Sequence, residues 1–404
     1  LPGNFWHGTT KERLFMLLYR HQPIARSDLA EFAGLTRPAV SNIVGEFLNK
    51  GLVFETHKKA EGVGRKKILL ETNPKRCHAI GVDLGRRNVS ACIFDLGGQI
   101  LQKKSISFPD VRTLHENVES MGSLLEELFT WSEERGIMID GVGIGVPGPV
   151  DPERGVSYSA PHFLSEETLN LKKIVETRFG VPTYVERDAN AAALGELWFG
   201  EGRHCDSFVY LLVVEGIGSG LILNGSLYRG VHGLAGKVGK FVFPKLRNDG
   251  KVMLFEELGS EISALKAAEE RASESEYLGN IVKQRKLNLK DLLNAARMGD
   301  PLVEEIVSKM EYYTALSVAN IILFIDPRLI ILGGDFVGIK EGFVENVRNH
   351  VSRILGDRPL PEIKPSPIYD MAISMGAAAR AFMESVSKIL WQDKSDHRSA
   401  SQRA

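Results

Sequence analysis

Cysteine is scarce in this 404-residue chain: Cys77, Cys92 and Cys205 stand far apart, with no CxxC pair. The scarcity argues against a disulfide framework and a local zinc cluster, and for a reducing compartment. Long apolar runs are missing too. None approaches the roughly 20 residues that cross a bilayer, so the expectation is a cytoplasmic chain with no leader and no membrane partner. Neither sign of charge dominates: 50 Lys and Arg stand against 51 Asp and Glu, a net −1, which leaves no global field to attract a polyelectrolyte. The distribution is less even than the total. Residues 1–75 carry 12 Lys/Arg and 7 Asp/Glu, and the remainder 38 and 44, a basic segment ahead of an acidic body. The length allows two or three domains.

What is present begins with helical periodicity over residues 10–50. "KERLFMLLYRH" sets apolar residues at helical spacing, and "SDLAEFAG" follows with Ser27 as N-cap and Gly34 as stop. "LTRPAVSNIVGEFLNKG" reads as a third helix, with Thr36 as N-cap, Pro38 in the first turn and Gly51 at the end. Val40, Ile43, Val44, Phe47 and Leu48 make one buried stripe, and Arg37, Ser41 and Asn42 fall on the opposite face. "LVFETHKKAEGVGRKKILLET" reads as two short strands around a basic, glycine-broken tip. Three helices and a hairpin over residues 1–75 predict a winged helix-turn-helix, whose third helix enters the major groove of DNA. Arg, Ser and Asn side chains are suited to base edges. At the tip, Gly62 and Gly64 let the backbone approach closely, while Arg65, Lys66 and Lys67 offer phosphate or minor-groove contacts. A small helical bundle with a solvated basic hairpin is the alternative reading of the same pattern.

After Cys77 the period changes. "AIGVDLG", "VSACIFDL" and "ILQKKSISF" read as consecutive strands, followed by a helix over about 111–135, the strand "GVGIGVP" and a helix near 166–179. The order recurs in "FVYLLVV", "GLILNG" and "SLYRG", then helices, then "RLIILGG". Two such units in tandem predict an α/β body of two lobes. Lobe one takes residues of about 76–198 plus a C-terminal helix over about 371–390, and lobe two about 199–370. The stretch 391–404 is a polar tail.

The motifs "GVDLG", "GVGIGVPGPVD", "ERDANAAALGE", "GIGSGLILNGSLYRGVHGLAGKVGK", "NIILFIDPRLIILGGDF" and "MGAAARAF" keep an order and spacing that resembles the ROK family of sugar kinases and sugar-responsive repressors. The resemblance covers about residues 78–386 and implies an actin-like (ribonuclease H-like) fold. The winged helix-turn-helix ahead of it resembles the repressor branch, with its xylose-type and N-acetylglucosamine-type regulators. By this resemblance Asp83 and Gly85, then Gly216, Gly218 and Gly220, mark two phosphate turns. Gly333 and Gly334 mark the adenosine-side turn, and Asp188 matches the catalytic base of the kinases. Each also has a plainer reading: glycine exposes backbone N–H groups to phosphate or simply makes a hairpin turn, and Asp188 suits a helix N-cap.

Several positions depart from the kinase pattern that the resemblance implies. Gly85-Arg86-Arg87 stands for Gly-Gly-Thr, Glu215 for a Thr beside the phosphates, and Arg187 for the Asn before the catalytic Asp. Lys237 stands for the sugar-binding Glu, Lys240 for its neighbouring His, and His162 where Asn is frequent. The Cys-rich zinc segment is absent, so no zinc is expected. An ammonium only donates hydrogen bonds, whereas the missing Glu would accept them from two hydroxyls. His162, Arg187, Asp188, Lys237 and Lys240 therefore suggest a pocket re-aimed at an anionic sugar, or lysines paired with Asp188, Glu186 or solvent. The expectation is a DNA-binding regulator of carbohydrate genes, a repressor, acting as a homodimer or larger homo-oligomer on operator DNA. It senses a small carbohydrate or sugar phosphate and requires no cofactor. The alternative is an ATP- and Mg-dependent sugar kinase of the glucose or N-acetylglucosamine class with Asp188 as base. A ligand-independent architectural DNA binder is a third.

Overall fold

The first three helices are α1 (Thr10–His21), α2 (Arg26–Ala33) and α3 (Arg37–Asn49). With them lies an antiparallel sheet in the order β1-β3-β2, made of β1 (Ile24–Ala25), β2 (Val53–Thr56) and β3 (Leu69–Thr72). The computed structural model describes residues 8–56, 68–108, 110–158, 163, 167–246, 250 and 252–391. The wing tip with Gly62, Gly64, Arg65, Lys66 and Lys67 lies outside them, as do His162 and residues 392–404. Val40, Val44 and Phe47 of α3 are fully buried, with the Phe47 ring edge-on to Phe15 at 5.8 Å. Ile43 and Leu48 are half-buried at the margin of that stripe. Ser27 is not the cap of α2. Pairing of β1 with β3 delivers the chain into the helix two residues early, so Ala25 is the N-cap, and the Ser27 hydroxyl donates to Asp28 Oδ1 at 2.8 Å.

The described residues divide into two compact units, one drawn from Leu1–Arg187, Asn224–Ser226 and Ser374–Ala404, the other from Asp188–Leu223 and Leu227–Ile373. Besides the winged module, the first unit holds β4 (His78–Leu84), β5 (Asn88–Asp95), β6 (Ile100–Ser107), α4 (Leu114–Glu133) and β7 (Gly141–Val146). A small sheet of β8 (Val150–Asp151), β9 (Val156–Ser157) and β10 (Leu169–Asn170) leads into α5 (Leu171–Phe179) and β11 (Thr183–Arg187). The main sheet runs β11-β7-β4-β5-β6, parallel across its first three strands and antiparallel beyond. Ile80, Val82, Leu125, Leu128, Val142 and Ile144 are among its core residues. Burial, then the nearby Asp140 carboxylate, pushes the Cys77 thiol up to about 12, so this cysteine stays a protonated core side chain.

The second unit opens with α6 (Asp188–Phe199), β12 (Phe208–Val213), β13 (Ile217–Leu223) and β14 (Ser226–Tyr228). A hairpin of β15 (Val242–Leu246) and β16 (Val252–Leu254) precedes α7 (Phe255–Gly259), α8 (Glu261–Glu270), α9 (Glu276–Val282) and α10 (Leu289–Arg297). The long α11 (Pro301–Ile325) leads to β17 (Leu329–Gly333), α12 (Asp335–Ile339), α13 (Phe343–Leu355) and β18 (Glu362–Pro365). Its sheet, β14-β13-β12-β17-β18, repeats the first. In both, a central strand is flanked by an antiparallel neighbour on one side and by two successive parallel strands on the other; the repeat follows the tandem order in the sequence, and β11 and β18 are strands that order did not include. The sequence reading places α6 at the end of lobe one, whereas α6 packs on β12 and β13 in the second unit. Gly218 and Gly220 open the surface of β13 for it. A Cβ at 220 would lie 2.4 Å from the Ala189 carbonyl oxygen.

The last helix, α14 (Ala372–Trp391), crosses the first unit's sheet at β4 and β7 and ends at the winged module. The Lys50 ammonium, at the C-terminal cap of α3, donates to the carbonyls of Ile389 (2.6 Å) and Leu390 (2.8 Å). Ser387 donates to Glu12 of α1, and the Lys11 ammonium lies 5.9 Å from the Trp391 ring centroid. Two helix C-termini thus share one cation, which offsets the negative ends of both. Arg76 Nε adds a bond to the Lys50 carbonyl at 2.9 Å. Lys50→Ala is expected to lower stability by about 1 kcal/mol, the net value of a typical hydrogen bond, because the bonds are only part-buried. Urea unfolding checks this, and an unchanged midpoint would show that the clasp adds nothing.

Candidate functional site

The third helix has the cap and the polar face that the sequence implies. Thr36 caps α3 by accepting the Ala39 N–H at 3.4 Å, and Pro38 sits in the first turn. Arg37, Ser41 and Asn42 are all exposed, on the side away from Val40, Val44 and Phe47. A polar first turn on a helix anchored by its apolar stripe is the geometry with which a winged helix-turn-helix enters a major groove.

In the first unit, Gly85 follows β4. A Cβ there would meet Asn88 Oδ1 at 2.3 Å. The amide of Asn117, fully buried on α4, donates to the carbonyls of Gly85 (2.8 Å) and Arg86 (3.1 Å), and the Phe108 N–H donates to Arg87 O at 2.7 Å. The turn is thus tied down through its carbonyls. Asp83 is half-buried near the end of β4, and Arg187 is buried at the end of β11.

In the second unit, Asp188 begins α6 and its Oδ1 accepts the Ala189 N–H at 2.7 Å, so this carboxylate holds the positive end of a helix. "GIGSG" is not the turn the sequence suggests. Gly218 and Gly220 lie within β13, paired with Leu212 and Tyr210 of β12, and serve the packing of α6. Only Glu215 and Gly216 turn, closed by the Val214 N–H on Gly216 O at 3.0 Å. Gly333 and Gly334 are likewise required by the fold: a Cβ at 333 would meet the Tyr210 hydroxyl at 1.9 Å, and one at 334 the Val213 carbonyl oxygen at 1.8 Å. The loop after β14 has left-handed glycines at Gly230, Gly233 and Gly236 (φ 73°, 65° and 78°) and hangs from β13 by the Ser219 N–H on Gly236 O at 2.8 Å. The glycine frame therefore has a structural cause of its own.

The lysines of that loop part company. Lys237 is half-buried where the loop enters a short 3-10 turn, Val238–Lys240. Lys240 is exposed, and its ammonium pairs with Glu256 of α7 at 2.5 Å. That partner differs from the ones expected of Lys240: Glu256 comes from the helix after the hairpin, so sequence spacing gives no sign of it. Lys50, Asn117 and Glu256 are the residues that sequence reasoning missed, each polar side chain meeting a partner remote in the chain. Among the described residues, no group of three or more His, Cys, Asp or Glu is arranged to hold a metal ion.

Against known proteins, the chain is 28% identical over 382 residues to the xylose repressor of Caldicellulosiruptor bescii, spanning 90% of this chain and 93% of that protein. It is 27% identical over 330 residues to the DNA-binding transcriptional dual regulator NagC of Escherichia coli, spanning 80% and 79%. A ROK family transcriptional regulator of known crystal structure, a homologue of the E. coli MLC protein, shares the fold with a TM-score of 0.73 at 23% identity, over 95% of this chain and 98% of that one. A ROK family glucokinase from Streptomyces griseus, solved with glucose and AMPPNP, superposes with a TM-score of 0.67 at 28% identity, over 76% of this chain and 99% of its own. The family match itself runs over residues 79–382, which takes in every strand of both large sheets. The chain belongs to the ROK family.

Proposed function

We propose that this chain is a DNA-binding transcriptional repressor of carbohydrate genes, with a ligand-sensing body derived from a kinase frame. One observation carries the reading: a winged helix-turn-helix with Arg37, Ser41 and Asn42 exposed on its third helix precedes the ROK body. The xylose repressor and the ROK transcriptional regulator match 90% and 95% of this chain, whereas the glucokinase matches 76% of it. The protein acts as a homodimer on operator DNA, so that a two-fold operator presents one half-site to each reader helix. It requires no cofactor. Effector binding favours the state of low DNA affinity, since only differential affinity shifts the equilibrium.

The effector is a sugar phosphate or sugar acid. Lys240 pairs with Glu256; Lys237, half-buried where the loop enters the 3-10 turn, is the loop residue whose charge reversal sets the preference. An ammonium in a partly dry cleft forms charge-assisted bonds with a phosphate. In calorimetric titration a hexose 6-phosphate is expected to bind more tightly than the hexose, and Lys237→Ala is expected to remove about 1.5–3 kcal/mol of that preference. Preference for the neutral sugar, or a Lys237→Ala variant that binds both as before, contradicts the assignment.

A further inference from the structure

The first unit holds a cavity of about 400 Å³, a size that takes a small molecule. Lys172 and Glu176, one turn apart on α5, line one side of it, and Lys388 of α14 another. Val181, Pro182 and Tyr184 line it where the chain enters the edge strand β11. These walls are held in place. The Lys172 stem lies along Gly155, where a Cβ would meet Lys172 Cβ at 2.2 Å, and the Lys172 N–H donates to Gly155 O at 3.2 Å. The Arg380 guanidinium lies 5.2 Å from the centroid of the Tyr184 ring, a cation–π contact, and pairs with Glu384 at 2.5 Å. Glu176 Oε1 accepts the Thr183 N–H at 3.1 Å, which fixes that carboxylate and leaves its other oxygen to accept.

Among the described residues, the ammoniums of Lys172 and Lys388 and the hydroxyl of Tyr184 have no ion-pair or hydrogen-bond partner. All three are donors. Burial, then the Glu384 carboxylate, holds the Tyr184 phenol above its ordinary range, so it donates as a neutral group. Glu384 is engaged by Arg380, so two ammoniums face one carboxylate, Glu176. We infer that this cavity is a second ligand site, suited to the phosphate monoester of a small polyol: Lys172, Lys388 and Tyr184 hold the phosphate, and Glu176 accepts from a hydroxyl. Bare phosphate has no hydroxyl to offer Glu176 and is repelled by it, whereas the ester satisfies both kinds of group, with its carbon chain against Val181 and Pro182. Lys388 stands between Ser387, which donates to Glu12, and Ile389, whose carbonyl accepts from Lys50. The site therefore adjoins the turn of α14 that holds the winged module. It does not rest on the effector assignment above, because Lys237 belongs to the second unit.

The test is calorimetric titration of the full chain with sorbitol 6-phosphate, beside sorbitol and inorganic phosphate. All titrations are made in a Lys237→Ala background, so that the loop of the second unit contributes nothing through its charge. The ester is expected to bind saturably, and at least about tenfold more tightly than either control, since each control lacks half of the contacts. Lys172→Met and Lys388→Met keep an apolar stem and remove the charge. Each is expected to weaken the ester at least about tenfold, the loss of a charge-assisted bond. Neither substitution strands a partner, so both variants should fold, which their Tm checks. No saturable binding of the ester, or binding that both Met variants leave intact, overturns the site. Glu176→Gln reads the specificity: with the repulsion removed, inorganic phosphate is expected to tighten and its gap from the ester to narrow. A gap as wide as before, or bare phosphate bound as tightly as the ester from the start, overturns the polyol ester as the ligand.

Discussion

Gly143→Ala is expected to destabilise the chain by about 3 kcal/mol, the upper end of the range for overpacking a filled core. The added Cβ would lie 1.8 Å from the Ala377 carbonyl oxygen and 2.3 Å from its carbonyl carbon. Both are backbone atoms of α14, and no rotamer change relieves the clash. Gly81 on the neighbouring strand is in the same position, 1.9 Å from Ser374 O, and Ala378 and Ala381 face Gly81 and Gly141 with their methyl groups. Glycines on β4 and β7 and alanines on α14 together let a helix lie directly on the sheet. Pushing α14 outward would also strain its far end, where Ile389 and Leu390 are held by Lys50. The expected result in urea is a midpoint shifted down with the slope unchanged. A variant as stable as wild type would mean that helix and sheet are farther apart than described.

Arg37→Ala is expected to weaken operator binding by about 1–3 kcal/mol and to relax specificity at one base position, leaving affinity for random DNA nearly as it was. Arg37 is exposed at the start of α3, and truncating it removes no buried atom, so the fold should be unaffected. Lys66→Ala, in the basic stretch that the sequence reads as a wing tip, is expected to act in the opposite manner. It should weaken all sequences evenly and reduce the slope of log affinity against log salt by about one. Fluorescence anisotropy with a specific and a scrambled duplex, each over a range of salt, separates the two. A loss at Arg37 that is equal for both duplexes would make it a phosphate contact and move base reading elsewhere.

Four of the five strands in each large sheet were legible in the sequence, the central ones because they are buried on both faces and read as continuous apolar runs; β11 (TYVER) and β18 (EIKP), short and carrying charged residues, were not. The winged module was legible for a different reason: caps and stops at Thr36, Gly34 and Gly51 are local signals, and structure and sequence agree there to within a residue. What was illegible is what depends on contacts remote in the chain. Nothing in "GVGIGVP" says that a helix about 230 residues later needs Gly143 bare. The glycines read as nucleotide-binding turns illustrate the limit best. Spacing shows that the backbone must be approached closely, but not by what, and at Gly218, Gly220, Gly333 and Gly334 the approaching atoms belong to the protein itself.

The central claim is that this chain reads DNA sequence, and selection from a random duplex library tests it most directly. The full chain is incubated with the library at physiological salt, the retained duplexes are sequenced, and the winner is titrated beside its scrambled counterpart. The account predicts a convergent site with two-fold symmetry, bound about 10³-fold or more tightly than the scrambled duplex. Retained sequences that do not converge, or equal affinity for winner and scramble, would contradict it.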